Sequence, residues 1–228
     1  MQRTLTSLAG TLGALAIGLA CAPRADAEDF SDIRLVGTAL NKNYDAHVSG
    51  DTTVGGVHFS DDSNNNKWDK AWRAGVVAQH LSLAGDSPLG FSSGLGVFYN
   101  RYEDQDDNSD KSKFEALSAQ LRLGLGISVA DVLHFEILPL AGIGAARGKI
   151  GDVDSGDVDL YWEYGIEAGA YLTIAHSIQF GVNAGWMKSG MDLKFDDQSQ
   201  FNGAPVENVE VKIRNKGTYV GASIGSRF

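Results

Sequence analysis

Between Leu117 and Val129 every second residue is apolar. Leu117, Ala119, Leu121, Leu123, Leu125, Ile127 and Val129 alternate with Ser118, Gln120, Arg122, Gly124, Gly126 and Ser128. Successive side chains of a β-strand point to opposite faces, so the stretch predicts a strand with one apolar and one polar or small face. A helical period does not fit it. The pattern recurs along the chain, over Ile33–Asn43, Trp72–Leu83, Phe91–Tyr102, Leu133–Ala146, Val158–Ala175, Ile178–Met187 and Thr218–Phe228. Three irregularities stand out. The phase blurs at His80, which suggests a bulge there. Pro139 sits inside a strand, where it removes one ladder hydrogen bond. Val209, Val211 and Ile213 run in the opposite phase to Val220, Ala222 and Ile224, which predicts a bulge near Lys216-Gly217.

Eight strands are therefore expected, and their connections alternate in length. Tyr44–Lys70, Glu103–Lys113, Arg147–Asp157 and Ser189–Asn208 read as long polar loops or hairpin tips. Gly85-Asp86-Ser87-Pro88, Ala130-Asp131 and His176-Ser177 read as tight turns. A β-sandwich has no reason to sort its loops this way. An outer-membrane barrel does, having short periplasmic turns and long external loops. The expected fold is thus all-β, an eight-stranded antiparallel transmembrane β-barrel in an up-and-down meander. Closure removes the strand edges that a bilayer cannot solvate.

Two sets of residues fit this fold. Trp72, Tyr99, Trp162, Tyr164 and Trp186 fall on the lipid-facing phase near the loop ends of their strands, and Phe91, Phe135 and Phe228 near the turn ends. Two aromatic girdles bounding an apolar band are the expected arrangement. Arg34, Arg73, Arg122 and Arg227 share the lumen phase with Glu136, Glu163 and Glu167. Eight strands leave an interior filled by side chains, so these charges are expected to pair in a polar plug rather than line a conduction path.

Composition narrows the picture. The chain has 228 residues and a formal net charge of −10. Nucleic acid is excluded as a partner, because it requires a basic face. Residues 1–27 read as a signal peptide: Arg3 precedes a mildly apolar run, and Ala25-Asp26-Ala27 offers a cleavage site before Glu28. The barrel domain is then 28–228. Cys21, the single cysteine, lies in the leader, so the mature chain is expected to hold neither thiol nor disulfide.

The turn Asp86-Ser87-Pro88-Leu89-Gly90 resembles the N-S-P-L-G turn of the Ail/Lom/OmpX-type outer-membrane proteins. The last stretch, Gly217-Thr218-Tyr219-Val220-Gly221-Ala222-Ser223-Ile224-Gly225-Ser226-Arg227-Phe228, is similar to that family's closing strand. The resemblance implies the same barrel, and an assembly signal in Tyr219, Ile224 and Phe228 that the barrel-assembly machinery would read. The loops do not follow the family, and the first and last are longer, so adhesion is not implied by the resemblance.

Enzymatic chemistry has thin support. His80-Leu81-Ser82 has the H-x-S spacing of the lipid A deacylase barrels, but it precedes a short turn and therefore sits at the periplasmic side. His47, Ser49, Asp51 and His58 fall together in the first long loop, where such matches arise by chance. Asp152, Asp154, Asp157 and Asp159 lack the spacing of a calcium loop and read as a solvated turn. No cofactor or zinc site is expected. The expectation is a structural or adhesin-like surface role through long acidic loops. The alternatives are a lipid A-modifying enzyme or a small pore. Expected partners are outer-membrane lipid and lipopolysaccharide, the barrel-assembly machinery, and host or surface proteins, with the barrel itself a monomer.

Overall fold

The computed structural model describes residues 29–40, 45–54, 57–83, 88–105, 111–129, 132–150, 153–155, 158–175, 177–195, 200–201 and 204–228. The expected leader 1–27, with Cys21, lies outside them, as do Asp86, Ser87, Asp152 and Asp157. The strands are β1 (Phe30–Leu40), β2 (Asp45–Val54), β3 (Val57–Lys67), β4 (Lys70–Leu83), β5 (Leu89–Gln105) and β6 (Lys111–Val129). They continue with β7 (Leu133–Ile150), β8 (Val153–Asp154), β9 (Asp159–Ile174), β10 (Ile178–Phe195), β11 (Gln200–Phe201) and β12 (Ala204–Arg227).

Eight of these close on themselves in the order β1-β4-β5-β6-β7-β9-β10-β12, every neighbour antiparallel, with β12 returning to β1. The seam runs from Asp32↔Arg227 to Leu40↔Tyr219. The last residue seals it: the Ser31 amide donates to the Phe228 carbonyl at 3.0 Å, and the Phe228 amide to the Ser31 carbonyl at 2.9 Å. This is the eight-stranded meander that the alternation predicts.

The burial pattern is inverted relative to a water-soluble fold. Leu125, Ile143 and Val182 are 57%, 61% and 63% exposed, while Arg34, Arg122 and Glu136 are each 2% exposed. A continuous outward belt of this kind is stable only against an apolar solvent, with the polar face turned to the lumen. No helix among the described residues is long and apolar enough to cross a membrane; the strands do the crossing.

The strands are longer than the sequence reading. A bilayer crossing takes roughly 9–11 tilted residues, whereas β10 has 18 and β12 has 24. The polar stretches read as loops after Tyr102, Ala146 and Met187 continue as strand to Gln105, Ile150 and Phe195. The segment from Tyr44, read as a long polar loop or hairpin tip, holds the hairpin β2–β3, which pairs with the upper part of β12 from Lys216↔Asp45 to Val206↔Val54. The pairing of β10 with β9 ends at Met191↔Tyr161, and β10, β12, β2 and β3 rise together past it as an external sheet.

Both expected bulges are absent. β4 pairs without a shift from Lys70↔Glu103 to Leu83↔Gly90, so His80 stays in phase and points outward. β12 pairs without a shift from Ser226↔Ile178 to Val209↔Phe195. Ile213 and Tyr219 consequently face the same way, inward. The change at Lys216-Gly217 is one of chemistry along one face, not of backbone.

Pro139 does leave its mark. Its ring faces outward, and the β7 ladder to β9 runs through it as Pro139↔Ile166, but the ladder to β6 skips from Arg122↔Leu140 to Leu125↔Ile137. Gly124 fills the gap by close approach: a β-carbon there would lie 2.0 Å from the Ile137 carbonyl oxygen. Gly124→Ala should therefore destabilise the barrel by about 1–3 kcal/mol, read as a lower urea midpoint in folded vesicle-embedded protein.

Candidate functional site

Inside the barrel the polar side chains form stacked layers between the turn end and the loop end. In the lowest layer Arg34 on β1 meets Glu136 on β7, a contact spanning 102 residues of sequence. Its Nη1 and Nη2 each donate to Glu136 Oε2 at 3.1 Å, and its Nε donates to Asp32 at 2.5 Å. Glu136 Oε1 also accepts from the Ser92 hydroxyl at 2.9 Å and lies 2.9 Å from His134 Nε2. The Arg34 guanidinium lies 3.9 Å over the Tyr171 ring. Arg227 sits apart from this group, its guanidinium 3.6 Å over the Phe30 ring at the turn-end mouth.

The middle layers centre on two glutamates. Arg122 binds Glu167 and also donates to Gln120 at 2.8 Å. The other oxygen of Glu167 accepts from Asn183 and from the Tyr219 hydroxyl, each at 2.8 Å. Glu163 accepts from Ser118 at 2.8 Å, from Gln120 at 3.2 Å and from Tyr161 at 3.1 Å, with Arg73 Nη1 3.6 Å away. Burying a charge is tolerated only with a partner and hydrogen bonds. Here each of these three glutamates has both.

Above these layers the lumen turns apolar. Met187, Met191, Leu193 and Ile213 are each fully buried, packed with Leu40, Phe114, Phe195 and Val211 inside the loop end of the barrel. Tyr102 and Tyr161 mark the boundary, their hydroxyls 3.3 Å apart. Trp68, between β3 and β4, lies over the top. Its ring centroid is 5.5 Å from both Tyr102 and Phe114, and its indole N–H donates to Asn215 at 2.9 Å. Sequence reasoning missed this apolar stopper. Its one sequence signal is the reversed phase of Val211 and Ile213.

Among the lumen charges the structure brings together Arg34 with Glu136, Arg122 with Glu167 and Arg73 with Glu163. It adds Asp32, which the sequence reading left out. Trp72, Tyr99, Trp162, Tyr164 and Trp186 lie on the outer wall in two groups. Trp72 is 5.6 Å from Tyr99, and Tyr164 is 5.9 Å from Trp162 and 6.1 Å from Trp186. Phe91, Phe135 and Phe228 are exposed at the opposite rim. Of the three residues placed in the assembly signal, Ile224 and Phe228 are exposed and Tyr219 is buried in the lumen.

The candidate catalytic groups are not assembled as the sequence spacing suggested. His80 Nδ1 lies 3.0 Å from the Ser31 hydroxyl and its Nε2 4.0 Å from Asp29 Oδ2, the oxygen that accepts from Ser82 at 3.2 Å, so His80 and Ser82 meet through Asp29 and not directly. In the first hairpin His47 lies 3.3 Å from Asp62 and His58 3.8 Å from Asp51. Asp159 accepts from the Lys194 amide at 3.0 Å. No group of three metal-ligating side chains occurs among the described residues.

A family model described as "Outer membrane protein beta-barrel domain" matches residues 12–224. No curated protein matches the chain in sequence. Among solved structures, Ail of Yersinia pestis in complex with the heparin analogue sucrose octasulfate is 14% identical, over 89% of this chain and 100% of that one, with a TM-score of 0.39. OprG of Pseudomonas aeruginosa is 15% identical, over 89% and 96%, with a TM-score of 0.49. The Escherichia coli outer membrane protease OmpT is 10% identical, over 88% and 96%, with a TM-score of 0.38. None of these likenesses bears on what the chain does. The family match extends over most of the barrel just described, and the chain is a member of the outer-membrane β-barrel domain family, placed in a bacterial outer membrane.

Proposed function

We propose that the protein is a surface-interaction barrel, adhesin-like in mode, whose binding element is the external sheet ending in β3. The observation that carries this reading is the edge of β3. It pairs with β2 on one side, and no described pairing covers the other. An open edge offers backbone donors and acceptors to an incoming extended segment, the mode of β-strand addition. Host or neighbouring surface proteins are the partners this suits.

Two further features support it over a pore or an enzyme. The lumen carries paired charges under an apolar stopper, an arrangement that holds the wall rigid and closes the axial path. The aromatic residues on the outer wall serve as anchors at the two interfaces. His80 and Ser82 make no dyad with each other. Ile224 and Phe228 supply the accessible part of the signal for the barrel-assembly machinery, and the barrel works as a monomer.

Replacing residues 45–67 by a short linker tests the proposal. The barrel should still fold, shown by a heat-sensitive gel mobility, while whole-cell binding drops to the level of cells lacking the protein. Binding that survives the deletion rejects the reading. Discrete single-channel conductance, or altered lipid A by mass spectrometry, would favour the pore or the enzyme instead.

A further inference from the structure

On the outer wall, lysines face one another directly across neighbouring strands at two places. Lys188 on β10 is the register partner of Lys216 on β12, and Lys113 on β6 that of Lys149 on β7. Like charges directly opposite one another destabilise a sheet. The Lys188 pair lies among the outer aromatic residues, since Lys188 is the register partner of Tyr164 and follows Trp186 by two positions, and Lys113 lies four positions beyond the register partner of Tyr99. At Lys113 the repulsion is offset, because Glu115 takes Lys113 at 2.7 Å and Arg147 at 2.6 Å. Among the described residues neither Lys188 nor Lys216 has an ion pair. Asp45, in register with Lys216, stays beyond ion-pair distance.

Lys188 and Lys216 line a cleft of about 370 Å³ together with Arg214, His47, Asn215 and the carboxylate residue Asp45. The Arg214 guanidinium lies 5.7 Å over the Trp162 ring and donates to the Ile213 and Met191 carbonyls at 3.1 Å, with Asp192 at 2.5 Å. Three cationic side chains thus gather at the cleft, Arg214 two positions further out along β12 than Lys216, on a chain whose net charge is −10.

We propose that this cleft binds a phosphate group on the sugar head of an outer-leaflet glycolipid. Aromatic residues on a barrel wall mark the headgroup level, so the cleft sits where such phosphates lie. Two ammonium groups supply charge-assisted donors, and a guanidinium at the rim adds a planar fork. A phosphate between Lys188 and Lys216 turns their mutual repulsion into two attractions. The proposal rests on the outer-membrane placement of the chain and is independent of the binding role assigned to β3.

The test uses the full folded barrel in a phosphate-free neutral detergent. Bis-phosphorylated lipid A, its dephosphorylated form and inorganic phosphate are added separately, with native mass spectrometry and the urea midpoint as readouts. Phosphorylated lipid A should stay bound and raise the midpoint, and the other two should do neither. K188Q/K216Q should bind phosphorylated lipid A at least about tenfold more weakly. Without lipid the same variant should be at least as stable as the parent, because the repulsion is gone. That reversal of sign between the two conditions is the signature of the site. K216Q alone, at an exposed position, repeats the binding test with a smaller perturbation. Equal retention by variant and parent overturns the proposal. So does equal retention of dephosphorylated lipid A, which would mean that acyl chains alone are held. Equal protection by inorganic phosphate overturns it too, since the site would then be one for a free anion.

Discussion

Arg34→Met should be the most damaging single substitution in the lumen, lowering stability by about 3–5 kcal/mol. The guanidinium holds Glu136 through two donors and Asp32 through a third, all in a site where Arg34 is 2% exposed. Removing it leaves two carboxylates within the barrel without their main counter-charge. The loss comes from that stranded charge more than from the missing contacts, since replacing both partners of a buried pair is often close to neutral. Arg34→Met combined with Glu136→Gln should therefore recover a substantial part of the loss. Arg34→Lys should recover less than the parent, because one ammonium cannot reproduce the fork. Urea unfolding of the barrel in lipid vesicles reads all three. A single variant as stable as the parent would show that the lowest layer contributes nothing to holding the wall.

Ile213→Asp should separate the external region from the membrane barrel. Ile213 is fully buried among Met191, Leu193 and Val211, above the charged layers. A carboxylate there has no described cationic partner inside the stopper, and its burial costs several kcal/mol. The expected result is an external sheet cut rapidly by added protease, with a barrel fragment that still shows a folded, heat-sensitive mobility. Val220→Asp, on the outward face at 58% exposure, should do the opposite and impair membrane insertion while leaving the stopper intact. If both variants behave alike, the inward assignment of Ile213 fails.

These two positions also show how far the sequence could be read. Both lie on β12, where apolar residues occur first at odd and later at even positions. Taking every apolar residue as lipid-facing turned that switch into a bulge. The backbone is regular, and what changes is the solvent. Within the bilayer, oily side chains belong outside and polar ones inside. Past the aromatic residues the outer wall meets water, so oily side chains move inward and Arg214 and Lys216 take the outer face.

The strand positions, the facing of nearly every residue within the membrane band and the meander itself followed from two-residue alternation, because that period belongs to the backbone. The lumen residues could be named for the same reason, Arg34, Arg122, Glu136 and Glu167 among them. Their partners could not. Which arginine meets which glutamate depends on the stagger with which the eight strands close, and that is set by pairing between strands far apart in sequence. The same holds for Trp68 over the loop end, for the hairpin β2–β3 on the flank of β12, and for Lys188 opposite Lys216. Alternation states which face a side chain occupies, and only the closed sheet brings two faces together.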